Sequence, residues 1–306
     1  MSFISEHKDL FGVEPICRVL SQHGCQVAPS TYYDAVRRAP SARAVRDQRL
    51  RTEISRVHAA NYGVYGARKI WLQLNREGIP VARCTVERLM QELGLAGVRR
   101  GKRVRTTVPG AAARPADLVR RQFSPPSPDR LWVADFTYVP TWTGMGYVAF
   151  VIDACSRRIL GWRAARSMKT ALVLDALEQA LWTRRHSGAG SLDGLVHHTD
   201  AGSRYTSVTF TERLAAAGVS GSAGTVGDAY DNALAESVIG LFKTELIKPR
   251  RLWRTVEQVE LATLEYVDWF SRRRLYEACG DIPPAELETA YYRQNAALAE
   301  AGQTTN

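Results

Sequence analysis

Three acidic residues in this chain could act together: Asp135 in LWVADFTYVPTW (131–142), Asp200 in VHHTDAGSRYTS (196–207) and Glu236 in GDAYDNALAESVIGLFKTEL (227–246). Between the two aspartates lie 64 residues, and between Asp200 and Glu236 lie 35. Carboxylates brought within a few ångströms oppose one another's ionisation. A fold that gathers three of them does so to hold hard divalent cations, Mg²⁺ or Mn²⁺. Two such ions can clamp the attacking and the leaving oxygen of a phosphodiester. The chemistry implied is metal-dependent cutting and joining of DNA.

The surrounding patterns say which elements must position these groups. Asp135 interrupts a strand pattern, where aspartate is disfavoured unless something uses it. Asp200 ends the strand GLVHHTD (194–200), at the kind of strand end where α/β sheets carry chemistry. Glu236 falls on a helix expected from Tyr230 to about Ile247, whose apolar stripe is Leu234, Val238, Leu241 and Phe242. At about 100° per residue Glu236 points away from that stripe, and Lys243, about two turns on, points the same way toward a DNA phosphate. Other polar residues have simpler readings. Asp153 forms a turn, Asp228 and Asp231 open the Glu236 helix, and at most one of His197 and His198 faces the site. Trp132, Trp142 and Trp162 read as packing groups.

Around these positions the core is legible as LWVADFTYV, YVAFVIDAC and RRILGWRAA in three strands. A helix at about 170–186 follows, then the Asp200 strand, a helix from Ser207 to Ala217, a short strand near Val219 and the Glu236 helix. That order predicts an α/β, ribonuclease-H-like core, with a helical C-terminal tail at 253–274 and 283–298.

The first part of the chain is different in kind. Residues 1–130 carry 23 Lys/Arg against 11 Asp/Glu, while residues 131–306 carry 18 against 20, so the net +10 arises entirely in the first part. A polyanion partner, nucleic acid, fits that asymmetry. An apolar face at Val13, Ile16, Cys17, Val19 and Leu20, a stop at Gly24 and an N-cap at Ser30 predict a first helical pair. Leu50, Ile54 and Val57, then Ile70, Trp71 and Leu74 up to Gly78, then Val86, Leu89, Met90 and Leu93 up to Gly94, predict a helix-turn-helix. Arg83, Thr85, Arg88 and Gln91 lie off the last stripe and could meet DNA. RRGKRVR (99–105) adds Arg99, Arg100, Lys102, Arg103 and Arg105 as phosphate contacts and opens a Pro-rich linker. The expected domains are 1–45, 46–100 (helix-turn-helix), 101–127 (linker), 128–248 (catalytic core) and 249–306.

Composition excludes several classes. No apolar run approaches the ~18 residues of a membrane span, and the start lacks the pattern of a signal peptide. Five cysteines without a CxxC read as reduced core thiols, with no disulfide or zinc site, as in a cytoplasmic protein.

Taken together the blocks closely resemble the B-frame transposases of the third insertion-sequence family, which share a catalytic core with retroviral integrases. WVADFTYV, HHTDAGSRYTS and YDNALAESVIGLFKTEL resemble that family's three acidic blocks in order and with its 35-residue second gap. YGARKIWLQLNREGIPVARCTVERLMQELGLAG (65–97) resembles its helix-turn-helix, and YVDWFSRRRLYEACGDIPPAE (266–286) its tail block. Leu275 and Tyr276 stand where the tail block often has a histidine.

The resemblance implies that Asp135, Asp200 and Glu236 are the catalytic metal ligands and that Lys243 is the family's basic residue beyond the glutamate. It also implies donor end cleavage and strand transfer at terminal inverted repeats, a homo-oligomer on DNA and a nucleoid-associated bacterial location. An upstream A-frame product is the expected partner, this chain being the B part. Two other classes remain. One is a non-catalytic DNA-binding regulator that keeps the fold. The other is a tyrosine recombinase, for which no Arg/His cluster surrounds a late tyrosine.

Overall fold

The chain begins in helices: α1 (Ser2–Phe11), α2 (Val13–Gln22), α3 (Pro29–Arg37), α4 (Ala42–Ala60), α5 (Ala67–Arg76) and α6 (Arg83–Glu92). The computed structural model describes residues 1–99, 119, 125–187, 192–200, 204–224 and 233–303. The chain forms two compact units, Met1–Ser55 and Arg56–Asn306. In the first, Ile4, Val13, Ile16, Cys17 and Tyr32 make a small core. Ser30 is not the N-cap of α3: the helix starts at Pro29, which needs no N–H partner, and Ala28 takes the cap position.

In the second unit, α5 and α6 pack with Ile70, Leu74, Val86, Leu89 and Met90 buried, and Gly78 and Gly94 terminate them at positive φ. After α6 the chain crosses close over the turn before α5. A Cβ on Gly97 would stand 2.6 Å from the Gly66 nitrogen, so only glycine fits there.

β1 (Leu131–Thr141), β2 (Gly144–Asp153) and β3 (Ile159–Ala165) form an antiparallel meander joined by short turns. Helix α7 (Thr170–His186) then returns the chain so that β4 (Val196–Thr199) pairs parallel to β1 on its other side. Helix α8 (Val208–Ala216) leads to β5 (Ser220–Ala223), parallel to β4. The sheet order is β3-β2-β1-β4-β5, the ribonuclease-H-like arrangement.

One face of the sheet, with Trp132, Ala134, Ala149 and Val151, is buried under Leu172, Leu177 and Leu181 of α7 and Phe210 and Leu214 of α8. The other face is covered by α9 (Ala233–Phe242), where Phe242 meets Phe150 at 5.0 Å between ring centroids.

The helix predicted to run unbroken to Ile247 has a π-helical turn, Lys243–Ile247, between α9 and α10 (Lys248–Arg250). Helix α11 (Val256–Arg272), capped by the Thr255 hydroxyl, and α12 (Pro284–Gln303) complete the tail. Tyr266, Trp269, Phe270 and Leu275 of this region are all buried. The Leu275 N–H donates to the Tyr65 hydroxyl (2.7 Å) and Trp269 Nε1 donates to Asn61 (2.9 Å), so the tail is built into the same unit as α5 and the sheet.

Candidate active site

Asp135 and Asp200 come together through strand register. Ala134 stands beside Thr199 in the parallel β1–β4 pair, so the next positions along these adjoining strands are Asp135 and Asp200. Neighbouring strands run about 4.8 Å apart. The pair is electrostatically tense. Burial first, then the Asp200 charge, pushes the Asp135 carboxyl up to about 7, against the opposing pull of the Phe136 N–H (2.7 Å) and Lys243. Tyr205 lies buried close by. Burial and both aspartates hold its phenol well above the ordinary range.

Lys243 begins the π-helical turn, half-buried, with its ammonium 4.8 Å above the Tyr138 ring. Burial lowers its pKa, which Asp135 counteracts. A cation and two anions therefore converge at the end of β4.

Glu236 is in the first turn of α9, the helix lying on the face of the sheet that bears Asp135. Asp135 pairs with Phe150 across β1–β2, and Phe150 is the residue that Phe242 packs against. Glu236 therefore arises from the helix on Asp135's side of the sheet, and its Oε2 is shielded from solvent. Yet among the described residues no three His, Cys, Asp or Glu side chains are grouped so as to hold one ion. The assembled set is the aspartate pair. Its donors are oxygen only, and its excess negative charge is what a hard divalent cation relieves, so the residues present fit such an ion.

The remaining predicted positions divide. Arg83 pairs with Glu87 (2.8 Å) and Arg88 with Glu92 (2.6 Å), both along the outer side of α6. Arg99 is exposed, while Arg100, Lys102, Arg103 and Arg105 lie outside the described residues, as do Asp228 and Asp231.

His197 and His198 are both buried. His198 pairs with the Ser222 hydroxyl (2.9 Å), and burial holds His197 neutral, its pKa lowered to about 3. Asp153 is a turn residue as expected, accepting from the Cys155 and Ser156 N–H groups.

Two expectations are corrected. All five cysteines are free, but Cys25 and Cys84 are exposed, lying off the faces their helical regions bury. Trp142 is not a packing group: the β1–β2 turn carries it beyond the sheet, 66% exposed. Sequence reasoning also passed over Tyr205, although it lies in the same block as Asp200, and the pairing of Glu245 with Arg274 behind Lys243 (2.6 Å).

Comparisons with known proteins agree with this architecture. Residues 45–103 match the HTH-like domain family, and residues 125–229 and 217–284 match two Integrase core domain families. The transposase for insertion sequence element IS629 of Shigella sonnei is 53% identical over 297 residues, covering 95% of this chain and 96% of that one. The protein named as transposase for IS986/IS6110 in Mycobacterium tuberculosis (strain ATCC 25618 / H37Rv) is 65% identical over 269 residues, 88% of this chain and 97% of that one.

The chain belongs to the transposases of the third insertion-sequence family.

This transposase thus joins an HTH-like domain to an integrase core domain. A fainter likeness links it to the HTLV-2 integrase catalytic core domain in complex with magnesium, with a TM-score of 0.40 at 15% identity over 53% of this chain and 98% of that one. No helix among the described residues of the transposase is long and apolar enough to cross a membrane.

Proposed function

We propose that this transposase cuts the ends of its insertion sequence and joins them to target DNA by metal-dependent transesterification, with Asp135, Asp200 and Glu236 as the ligands of two Mg²⁺ or Mn²⁺ ions. The observation that carries this reading is the Asp135–Asp200 pair, set side by side by the β1–β4 register, where burial first and then the Asp200 charge lift Asp135 to about 7. When bound, such ions supply a lowered pKa for the attacking hydroxyl and positive charge beside the leaving 3′ oxygen.

The protein's own groups do the rest. Asp135 and Asp200 offer oxygens from adjoining strands, and Glu236 would offer a further oxygen from α9. Apo sites are commonly looser than working ones. Lys243 meets a phosphate oxygen beside the cut. Tyr205 remains a neutral phenol and is not an activated nucleophile, which supports direct in-line attack over a phosphotyrosine link. Arg83, Arg88 and the basic run 99–105 hold the terminal repeats, and the target DNA enters over the carboxylates. The active form is a homo-oligomer on DNA, working with an upstream A-frame product in the bacterial nucleoid.

A second reading, a regulator that binds DNA without cutting it, gains from the absence of an assembled three-carboxylate group among the described residues. Cleavage and joining of end oligonucleotides in Mn²⁺ separates the two. Asp135→Asn and Glu236→Gln are each expected to reduce product at least about a hundredfold while binding persists. Near-normal joining by Asp135→Asn would sink the catalytic assignment. Near-normal joining by Glu236→Gln alone would remove Glu236 from it. A wild-type protein that binds but never nicks, with the A-frame product added, would establish the regulator.

A further inference from the structure

Strand β4 ends at Thr199, so beyond Ala134 the strand β1 continues with only β2 beside it among the described residues. This overhang starts at Asp135 and ends in a tight turn at Trp142 and Thr143. It presents two large aromatic side chains to solvent, Tyr138 at 49% and Trp142 at 66% exposure.

Single exposed aromatics are ordinary on protein surfaces. These two differ in three respects. Each lies under a cation: Lys243 Nζ is 4.8 Å from the Tyr138 ring centre, and the Arg254 guanidinium is 5.7 Å from the Trp142 ring centre. Both belong to the hairpin that leads away from Asp135, Tyr138 about 10 Å along β1 at ~3.3 Å per residue and Trp142 in the turn beyond it. Alternation turns Tyr138 to the opposite face from Asp135, and Lys243 at the overhang interacts with both. The hairpin tip is also held rigidly, with the Trp142 and Thr143 N–H groups donating to the carbonyls of Trp253 (2.9 Å) and Arg254 (3.3 Å) and the Thr141 hydroxyl donating to the Gly144 carbonyl (2.6 Å). A fixed backbone that holds out an aromatic ring with an arginine above it forms a surface prepared for a flat, anionic ligand.

We propose that the β1–β2 hairpin is a stacking platform for unpaired DNA bases next to the scissile phosphate, with Tyr138 and Trp142 taking base faces and Lys243 and Arg254 the adjoining phosphates. Paired DNA hides its base faces and would use only the cations, so the platform selects a frayed or single-stranded flank. Stacking on aromatic side chains tolerates any sequence because every base has a π-face. The neighbouring charge favours a polyanion over a protein partner. The position beside Asp135 matters only because that carboxylate is read as catalytic, so this inference rests on the proposed function.

Photo-crosslinking tests it with the full-length protein. The probe is a duplex bearing a short single-stranded tail of 5-iododeoxyuridine, and the control is the same length fully paired. The crosslink is expected on the 131–157 tryptic peptide, at Trp142 or Tyr138, with the tailed probe and not with the paired one. Trp142→Ala is expected to weaken binding of the tailed probe about tenfold and of the paired probe less than about twofold, and Trp142→Phe to restore most of the loss. Arg254→Gln should lower tail affinity with the crosslink site unchanged. Crosslinks confined to other peptides, equal crosslinking of both probes, or a Trp142→Ala loss shared equally by them would overturn the proposal. So would a protein–protein crosslink of this hairpin to a second copy in place of the DNA adduct. Asp135→Asn keeps the two readings apart, because a platform that crosslinks normally in a variant that no longer cleaves supports both. Normal crosslinking beside retained cleavage would remove only the catalytic assignment.

Discussion

At the scale of single residues the governing quantity is the charge of Asp135. Its carboxyl titrates at about 7 in the folded protein because it is buried and faces Asp200. An unfolded aspartate titrates at about 3.9. Between those values the folded state holds a proton that the unfolded state has lost. The contribution of Asp135 to the stability of the metal-free protein therefore falls as pH rises from about 4 to about 7 and levels off above. Cation and proton compete for the same oxygens. Apparent Mn²⁺ affinity is expected to drop by up to about tenfold per pH unit below pH 7. Thermal-shift titrations with Mn²⁺ at pH 6 and pH 8 check this. Equal midpoints at the two pH values would mean that Asp135 is not a ligand. Asp135→Asn should remove this contribution to the pH dependence of metal-free stability along with the metal response.

At the scale of elements the site depends on how helices are seated. The π-helical turn that starts at Lys243 places Glu245 in the interior, where Arg274 meets it with Nε and Nη2 (2.6 to 3.2 Å) and the Tyr266 hydroxyl donates to it (2.9 Å). The Arg274 guanidinium also lies over the Phe270 and Tyr276 rings. Removing one partner of a buried pair strands the other charge. Arg274→Met is expected to cost roughly 3–5 kcal/mol, and adding Glu245→Leu should recover much of it. Urea unfolding of the single and double variants decides. A larger loss in the double variant would contradict the pairing.

Strand β3 and helix α7 meet as closely at Gly161, where a Cβ would fall 2.0 Å from the Ala176 carbonyl oxygen and 2.7 Å from the Ala180 nitrogen. The obstacle is helix backbone and cannot turn aside. Gly161→Ala should destabilise by about 1–3 kcal/mol or more, seen as a lower urea midpoint.

At the scale of the whole molecule the C-terminal helices are part of the fold that holds the site. Arg184, at the end of α7, is 1% exposed and meets Glu288 through two nitrogens (2.6 and 2.8 Å) and Asp129 (2.6 Å), with Asp153 at 3.5 Å. Glu288 belongs to α12, and so does Tyr292, whose hydroxyl donates to Asp129 (2.8 Å). A chain ended at residue 280 would leave Arg184 without Glu288 and expose the packing surface of α12. It is expected to lose cooperative unfolding and near-ultraviolet circular dichroism. A truncated protein that elutes as a compact monomer with an intact near-ultraviolet spectrum would show that α12 is dispensable. On the same grounds a core cut at 248 should fail, because Tyr266, Trp269 and Phe270 are buried beside Phe242 and Tyr65.

The local patterns could be read from the chain because their causes are local. Short apolar runs bounded by turns along 131–165 specified three strands, the Leu172–Leu177–Leu181 spacing specified α7, and Gly78 and Gly94 marked the helix ends. The contexts of Asp135 and Asp200 were equally plain, since an aspartate within or ending an apolar strand has few other uses. Pairing decided what local pattern could not. Nothing near Glu245 foretells the π-helical turn, because its partner Arg274 is 29 residues away. Arg184 reads like a solvent-facing helix arginine until Glu288, 104 residues on, folds over it. Trp142 reads as core until the short β4 leaves its hairpin overhanging. Residue types and spacing determined which groups this transposase has for its chemistry. The register of β1 against β4 and the seating of α9 and the tail decided which of them meet, because those contacts join residues too far apart in the chain for any local preference to encode.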